Sequence, residues 1–138
     1  MQFATFHDLE DQSIFITGGG SGIGADLTKG FLSQGSKVTF IQRSNPEKFL
    51  IDCKGKFKHE PSFLECDVTN TKELKTALQR TAKKQGPISV LVNNAANDTR
   101  HSLGEFTSEQ WDKTMNVNLR PHFFAAQEVL EGMKKNGG

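Results

Sequence analysis

At 138 residues, with 35% hydrophobic content and a formal net charge of +1, the chain has the size of one domain able to bury a core. Nothing in it forms a basic cluster suited to nucleic acid, and no apolar run approaches the roughly 18 residues of a membrane span. Cys53 and Cys66 are not spaced as a metal or redox pair, and His7, His59, His101 and His122 show no ligand spacing. Met1-Gln2-Phe3-Ala4-Thr5-Phe6-His7 lacks the charged start and apolar middle of a leader peptide. The expectation is a cytoplasmic protein with free thiols, no metal, and neither nucleic acid nor membrane as partner.

Ser13-Ile14-Phe15-Ile16 is apolar, β-branched and aromatic, and predicts a buried strand. Thr17-Gly18-Gly19-Gly20-Ser21-Gly22-Ile23-Gly24 follows, and Ala25 to Leu32 then places apolar residues at helical spacing. A strand, a glycine turn and a helix start together predict a dinucleotide site. Glycines let the backbone come close to a pyrophosphate, while the helix opening near Ile23 offers free N–H groups and the positive end of its dipole. Gly18, Gly20, Ser21, Gly22, Ile23 and Gly24 are therefore candidate coenzyme-binding residues. No Gly-Lys-Ser/Thr closes the run, which excludes a P-loop.

The next strand, Lys37-Val38-Thr39-Phe40-Ile41, ends in Gln42-Arg43 where a carboxylate would hold a ribose diol and repel a 2′-phosphate. Gln42 does not repel it and Arg43 is able to pair with it, so NADP is expected over NAD; a solvated loop arginine is the plainer alternative. Ser44 to Pro61 is polar, with a weak helical pattern around Glu47–Ile51. Ser62-Phe63-Leu64-Glu65-Cys66 suits a third strand, followed by Asp67-Val68. Asn70 caps a helix with Glu73 reaching back, and Leu74, Ala77, Leu78 and Ala82 form its apolar stripe.

Gly86-Pro87 stops that helix, and Ile88-Ser89-Val90-Leu91-Val92 predicts a fourth strand covered on both faces. Thr107 caps a further helix, with Gln110 three residues on. Its apolar pattern runs from Trp111 to about Lys135, with a bend at Pro121 and an end at Asn136-Gly137-Gly138. The alternation requires an α/β fold: a Rossmann-type doubly wound parallel sheet, in one domain over 1–138, ending after the fourth strand and its helices.

These residues resemble the short-chain dehydrogenase/reductase family along essentially the whole chain. Thr17-Gly18-x-x-x-Gly22-x-Gly24 is similar to its coenzyme turn, Asp67-Val68 to the pair that holds the adenine, and Asn93-Asn94-Ala95-Ala96 to its Asn-Asn-Ala-Gly segment. Asn118 is similar to its active-site asparagine. The resemblance implies coenzyme contacts at Asp67, Val68, Asn94, Ala95 and Ala96, and a catalytic role for Asn118; Ala96 departs from the usual glycine. Asn97-Asp98-Thr99-Arg100-His101, Trp111-Asp112 and Asn116-Val117-Asn118-Leu119-Arg120 are similar to bacterial aldose 1-dehydrogenases of the D-xylose kind. That narrower resemblance implies hydride transfer from a sugar's anomeric carbon to the nicotinamide of NADP or NAD. Asn97 and Asp98 then become candidate polyol ligands, with turn capping as the alternative.

The family's chemistry also implies a serine and a Tyr-x-x-x-Lys, and this sequence contains no tyrosine. The chain is therefore expected to be the N-terminal, coenzyme-binding portion of a longer oxidoreductase acting on a small molecule, and inactive alone. The alternatives are a non-catalytic nucleotide-binding module, or a fragment that self-associates. His101 and His122 are not taken as substitute bases. An open edge on the fourth strand, and the apolar helix surface around Phe123, Phe124, Ala125 and Ala126 that the resemblance implies packs against a partner subunit, lead to the expectation of a homo-oligomer or of a missing C-terminal part.

Overall fold

The computed structural model describes residues 4–137. Met1–Phe3 of the amino-terminal stretch and Gly138 of the closing Asn-Gly-Gly lie outside them. Four parallel strands order the rest: β1 (Ser13–Thr17), β2 (Lys37–Gln42), β3 (Ser62–Glu65) and β4 (Val90–Val92), arranged β3-β2-β1-β4. Helices α1 (Gly22–Ser33), α2 (Glu47–Cys53), α3 (Thr71–Gln85), α4 (Ser108–Asn118) and α5 (Arg120–Lys135) connect and follow them. Ile14 pairs with Val38 on one side and Val90 on the other, so β1 is central.

Strand alternation sends side chains to two cores. Ile14, Ile16, Val38 and Phe40 pack with Leu32, Cys53 and Phe49, toward α1 and α2. Phe15 and Ile41 pack with Leu74, Leu78, Ala125 and Val129, toward α3 and α5. Each fully buried side chain of this size contributes about 1.5–3 kcal/mol. The sheet is thus covered on both faces, as a doubly wound fold requires.

The expected caps form. The Asn70 side chain accepts the Glu73 N–H at 3.2 Å, and Thr107 and Gln110 make a reciprocal capping box. Gly86, at φ +91°, closes α3.

Three expectations need correction. The fourth strand is shorter than 88–92. Ile88 turns into the α3–α5 core, the Ser89 N–H already donates to the Ser13 carbonyl at 2.8 Å, and only Val90–Val92 form ladder. Nor is β4 fully covered: its residues are half-buried because it is an edge strand, with no neighbour beyond it among the described residues. Pro121 does not bend one helix. Leu119, at φ −128° and ψ −52°, separates α4 from α5, and Pro121 stands in the first turn of α5, where its missing N–H has no helical partner to lose. Smaller differences are the end of β3 at Glu65, the extension of α2 to Cys53, and short 3₁₀ turns at His7–Leu9 and Leu103–Glu105.

Cys53 and Cys66 are free and buried; burial pushes both thiols up, Cys66 to about 11. Among the described residues no helix is long and apolar enough to cross a membrane, and no group of three metal-ligating side chains occurs.

Candidate functional site

The carboxyl ends of the strands open into a cleft of about 1100 Å³ at the point where the strand order reverses around β1. Its floor is the turn between β1 and α1. At Gly24 the close approach is absolute, since a Cβ there would stand 1.9 Å from the Gly18 carbonyl oxygen. Gly18 has φ +70°, and its N–H donates to the Ile41 carbonyl at 2.7 Å. The Thr28 hydroxyl, fully buried, donates to the Gly19 carbonyl at 2.7 Å. The turn is therefore clamped from both the sheet and the helix.

Ser21 stands at the N-cap of α1 without a side-chain capping bond, and Ser21, Gly22, Ile23 and Gly24 all line the cleft. The first N–H groups of a helix have no acceptor within it, and they carry the positive end of the helix dipole. This floor is suited to an anionic diphosphate. Gly20 supports the turn from behind. It is not among the lining residues; its N–H donates to Gln42 Oε1 at 3.0 Å, and a Cβ there would lie 2.5 Å from that oxygen.

One wall is formed by Gln42, Arg43 and Ser44 from the end of β2 and by Cys66, Asp67, Val68 and Thr69 beyond β3. Gln42 Nε2 donates to the Ser44 carbonyl at 2.8 Å. Arg43 is exposed, and its guanidinium makes no hydrogen bond or ion pair among the described residues. The Asp67 carboxylate accepts the Thr69 N–H at 2.9 Å and the Thr69 hydroxyl at 2.8 Å through one oxygen. The Thr69 N–H, then its hydroxyl and the positive charge of Arg43, hold Asp67 below the usual carboxylate range against the opposing effect of burial. Asp67 is thus an anion able to accept hydrogen bonds from a ligand's N–H or O–H groups.

The opposite wall follows β4. Asn94 Nδ2 donates to the Thr17 carbonyl at 2.9 Å and to the Gly18 carbonyl at 3.2 Å. The N–H groups of Asn94 and Ala95 both donate to the Thr17 hydroxyl, at 3.0 and 2.9 Å. Asn94 therefore positions the glycine turn, and Ala95, Ala96, Asn97 and Asp98 continue the lining. The Asn97 side-chain oxygen accepts the Thr99 N–H at 3.0 Å and its hydroxyl at 2.6 Å, so the turn-capping alternative is the one observed there. Asp98 lines the cleft. Asn118 stands behind the wall: its amide binds both the N–H and the carbonyl of Asn97. His122 lies behind Ala95, with Nε2 3.4 Å from that carbonyl, and His101 stacks on Phe106.

Sequence reading left out Thr28, Ser44 and Thr69, and named Thr17 only as the opening residue of the coenzyme-turn motif. Thr17 and Thr28 are short buried hydroxyls whose roles depend on which carbonyl or N–H the fold brings to them. A threonine directly before the first glycine was the only visible signal.

A parallel sheet whose first strand feeds a glycine turn and a helix N-terminus at the switch point is a Rossmann-type domain. The chain belongs to the short chain dehydrogenase family, whose model matches residues 12–138. It is 40% identical over 136 residues to the probable galactose dehydrogenase GalD of Rhizobium meliloti, covering 96% of this chain and 53% of that protein. It is equally 40% identical, over 139 residues, to the D-xylose 1-dehydrogenase of Caulobacter vibrioides, covering all of this chain and 54% of that one. The chain thus spans about half the length of the curated relatives it matches. Among solved structures, the ligand-free aldohexose dehydrogenase of Thermoplasma acidophilum superposes with a TM-score of 0.80 at 31% identity, over 94% of this chain and 47% of that one. A blue fluorescent protein from a metagenomic library, in complex with NADPH, superposes with a TM-score of 0.82 at 28% identity, over 91% of this chain and 52% of that one.

Proposed function

We propose that residues 1–138 are the coenzyme-binding part of an NAD(P)-dependent oxidoreductase that moves a hydride between nicotinamide and a sugar, alcohol or ketone. The observation that carries this reading is the start of α1, lining the cleft with unpaired N–H groups between the Arg43 wall and the Asn94 wall. When bound, the coenzyme supplies the hydride donor or acceptor; the residues of this chain bind and orient it. Gly22, Ile23, Gly24 and Ser21 hold the diphosphate, with Gly18 and Gly20 shaping the turn beneath it. Asp67 and Val68 hold the adenine, and Ala95 and Ala96 border the nicotinamide ribose, with Asn94 setting their place. Arg43 pairs with a 2′-phosphate, giving NADP over NAD. The relatives named for sugar oxidation and the solved relative holding NADPH support the class and the coenzyme.

Asp98 is the stronger of the two candidate polyol ligands, since the Asn97 side chain is engaged in its own turn. Asn118 acts through the Asn97 backbone. No tyrosine is present to donate or accept the substrate proton, so this stretch binds coenzyme without turning over substrate. We further read the protein as self-associating: β4 is an edge strand among the described residues, and Phe123 and Leu130 on α5 are 63% and 47% exposed. Titration calorimetry with NADP(H) and NAD(H) tests the central reading. Tighter binding of NADP(H) is expected, and absence of binding by folded protein would overturn it.

A further inference from the structure

We propose that Gln42 is a positioning residue that sets coenzyme selectivity by fixing Arg43, a role that rests on reading the cleft as a nucleotide site. Both ends of its amide are engaged. Oε1 accepts the Gly20 N–H at 3.0 Å, while Nε2 donates to the Ser44 carbonyl at 2.8 Å and lies 3.3 Å from the Ser44 hydroxyl. Its main-chain carbonyl accepts the Cys66 N–H at 3.1 Å. One residue thereby ties together the glycine turn, the exit of β3 and the residue on the far side of Arg43.

The bridge accounts for two features that a phosphate contact does not. A Cβ at Gly20 would stand 2.5 Å from Gln42 Oε1, so a side chain there would displace the flexible end of Gln42 and break the bridge, and it would also meet the buried Phe40 ring at 2.8 Å. The residue at 42 must offer an acceptor to an N–H and a donor to a carbonyl at the same reach, and the Gln42 amide does so. A carboxylate would satisfy Gly20, repel the Ser44 carbonyl and place a negative charge beside Arg43. With 42 and 44 both anchored, Arg43 is held at the cleft margin with its guanidinium free of protein partners among the described residues. The amide aims the arginine and is itself withheld from the ribose.

The test is a double-mutant cycle on the full chain, using 2′,5′-ADP and 5′-AMP as probes that differ by the 2′-phosphate, read by calorimetry. Wild type is expected to prefer 2′,5′-ADP, and Gln42→Met to cut that preference about tenfold, the size of one misaligned charge-assisted contact. In an Arg43→Ala background, Gln42→Met is expected to change the preference no further. Gln42→Asn, whose shorter amide cannot span both partners, serves in the same cycle should the methionine variant not fold. An unchanged preference, equal weakening of both probes, or an equal loss with and without Arg43 would overturn the role of Gln42 while leaving the nucleotide site standing. Failure of wild type to bind either probe would remove the nucleotide reading and this proposal with it.

Discussion

The side-chain amide of Asn118 binds the backbone of Asn97 at both ends: Oδ1 accepts the Asn97 N–H at 2.7 Å, and Nδ2 donates to its carbonyl at 2.8 Å. The last residue of α4 thereby fixes a loop segment that lines the cleft and has no ladder of its own. Asn118→Ala should free that segment and cost about 0.5–1.5 kcal/mol of stability per lost bond, at the low end because Asn97 is exposed and Asn118 only half-buried. Hydrogen exchange at the Asn97 amide is the direct readout. Acceleration confined to residues near 97 is expected; unaltered protection would show that the clamp is not what orders the loop.

Gly24 and Gly22 make a contrasting pair. A methyl group at Gly24 meets the Gly18 carbonyl oxygen at 1.9 Å, a backbone atom that cannot move without opening the turn. At Gly22 there is open space, and only the φ of +49° disfavours a side chain. Gly22→Ala should cost about 1–2 kcal/mol through backbone strain. Gly24→Ala should cost at least as much and also abolish coenzyme binding in protein that still folds, because the clash distorts the turn itself. Denaturant melts and calorimetry on both variants check this; equal coenzyme affinity in the two would contradict it.

Arg43→Ala should erase the NADP(H) preference, weakening that ligand by about 1–3 kcal/mol for one charge-assisted phosphate contact while leaving NAD(H) nearly unaffected. The preference should also shrink as salt rises, since Arg43 is exposed. Equal affinities for the two coenzymes in wild type would defeat the assignment.

Much of the fold was legible because it rests on local patterns. Strand alternation in Ile14–Ile16 and Val38–Ile41, the caps at Asn70 and Thr107, and the stop at Gly86 each follow from near neighbours in sequence. The glycine turn was legible for the same reason. The bond between Gly20 and Gln42 was not legible, because the two lie 22 residues apart and become neighbours only when β1 and β2 pair. Likewise Ile88 looks like strand by composition, but its partners are Leu78 and Val129 on helices that the chain pattern alone does not juxtapose. The role of Pro121 depended on where α5 begins, and one unwound residue at Leu119 moved it from an interior position to a first turn.

Thr39 is an imperfection in this core. It is 2% exposed, and its hydroxyl has no hydrogen-bond partner among the described residues. Its neighbours across the ladder, Phe15 and Ser62, lie on strands to either side. Leaving a hydroxyl buried and unpaired costs about 1–3 kcal/mol, and valine has nearly the same shape without the polar atom. Thr39→Val should therefore raise the melting temperature without altering coenzyme affinity. A lower melting temperature would mean that the hydroxyl is satisfied in solution.

Far from the cleft, acid stability should depend on Asp11 and Asp52. Asp11 accepts hydrogen bonds from Lys58 Nζ at 2.9 Å and lies 2.6 Å from His59 Nε2, joining the start of β1 to the loop before β3. Asp52 binds Lys29 on α1 and Lys56. These hydrogen bonds hold both carboxyls at about 2, below their ordinary 3.8. A pKa lower in the folded chain than in the unfolded one means the unfolded chain binds protons first, so the contribution is complete above pH 3.8 and lost as pH falls through about 2. Lys29 is raised above 10.5 by its bond to Asp52, and Lys58 by its bond to Glu10 and then by that to Asp11, so their share holds below that value and is lost only as pH climbs past their folded pKa. Exposure and salt keep each pair's effect small. Asp11→Asn combined with Asp52→Asn should flatten the stability profile between pH 4 and pH 2 while changing little near neutrality. Parallel urea melts across that range for wild type and the double variant test it, and an unchanged acid limb would show that other carboxylates govern it.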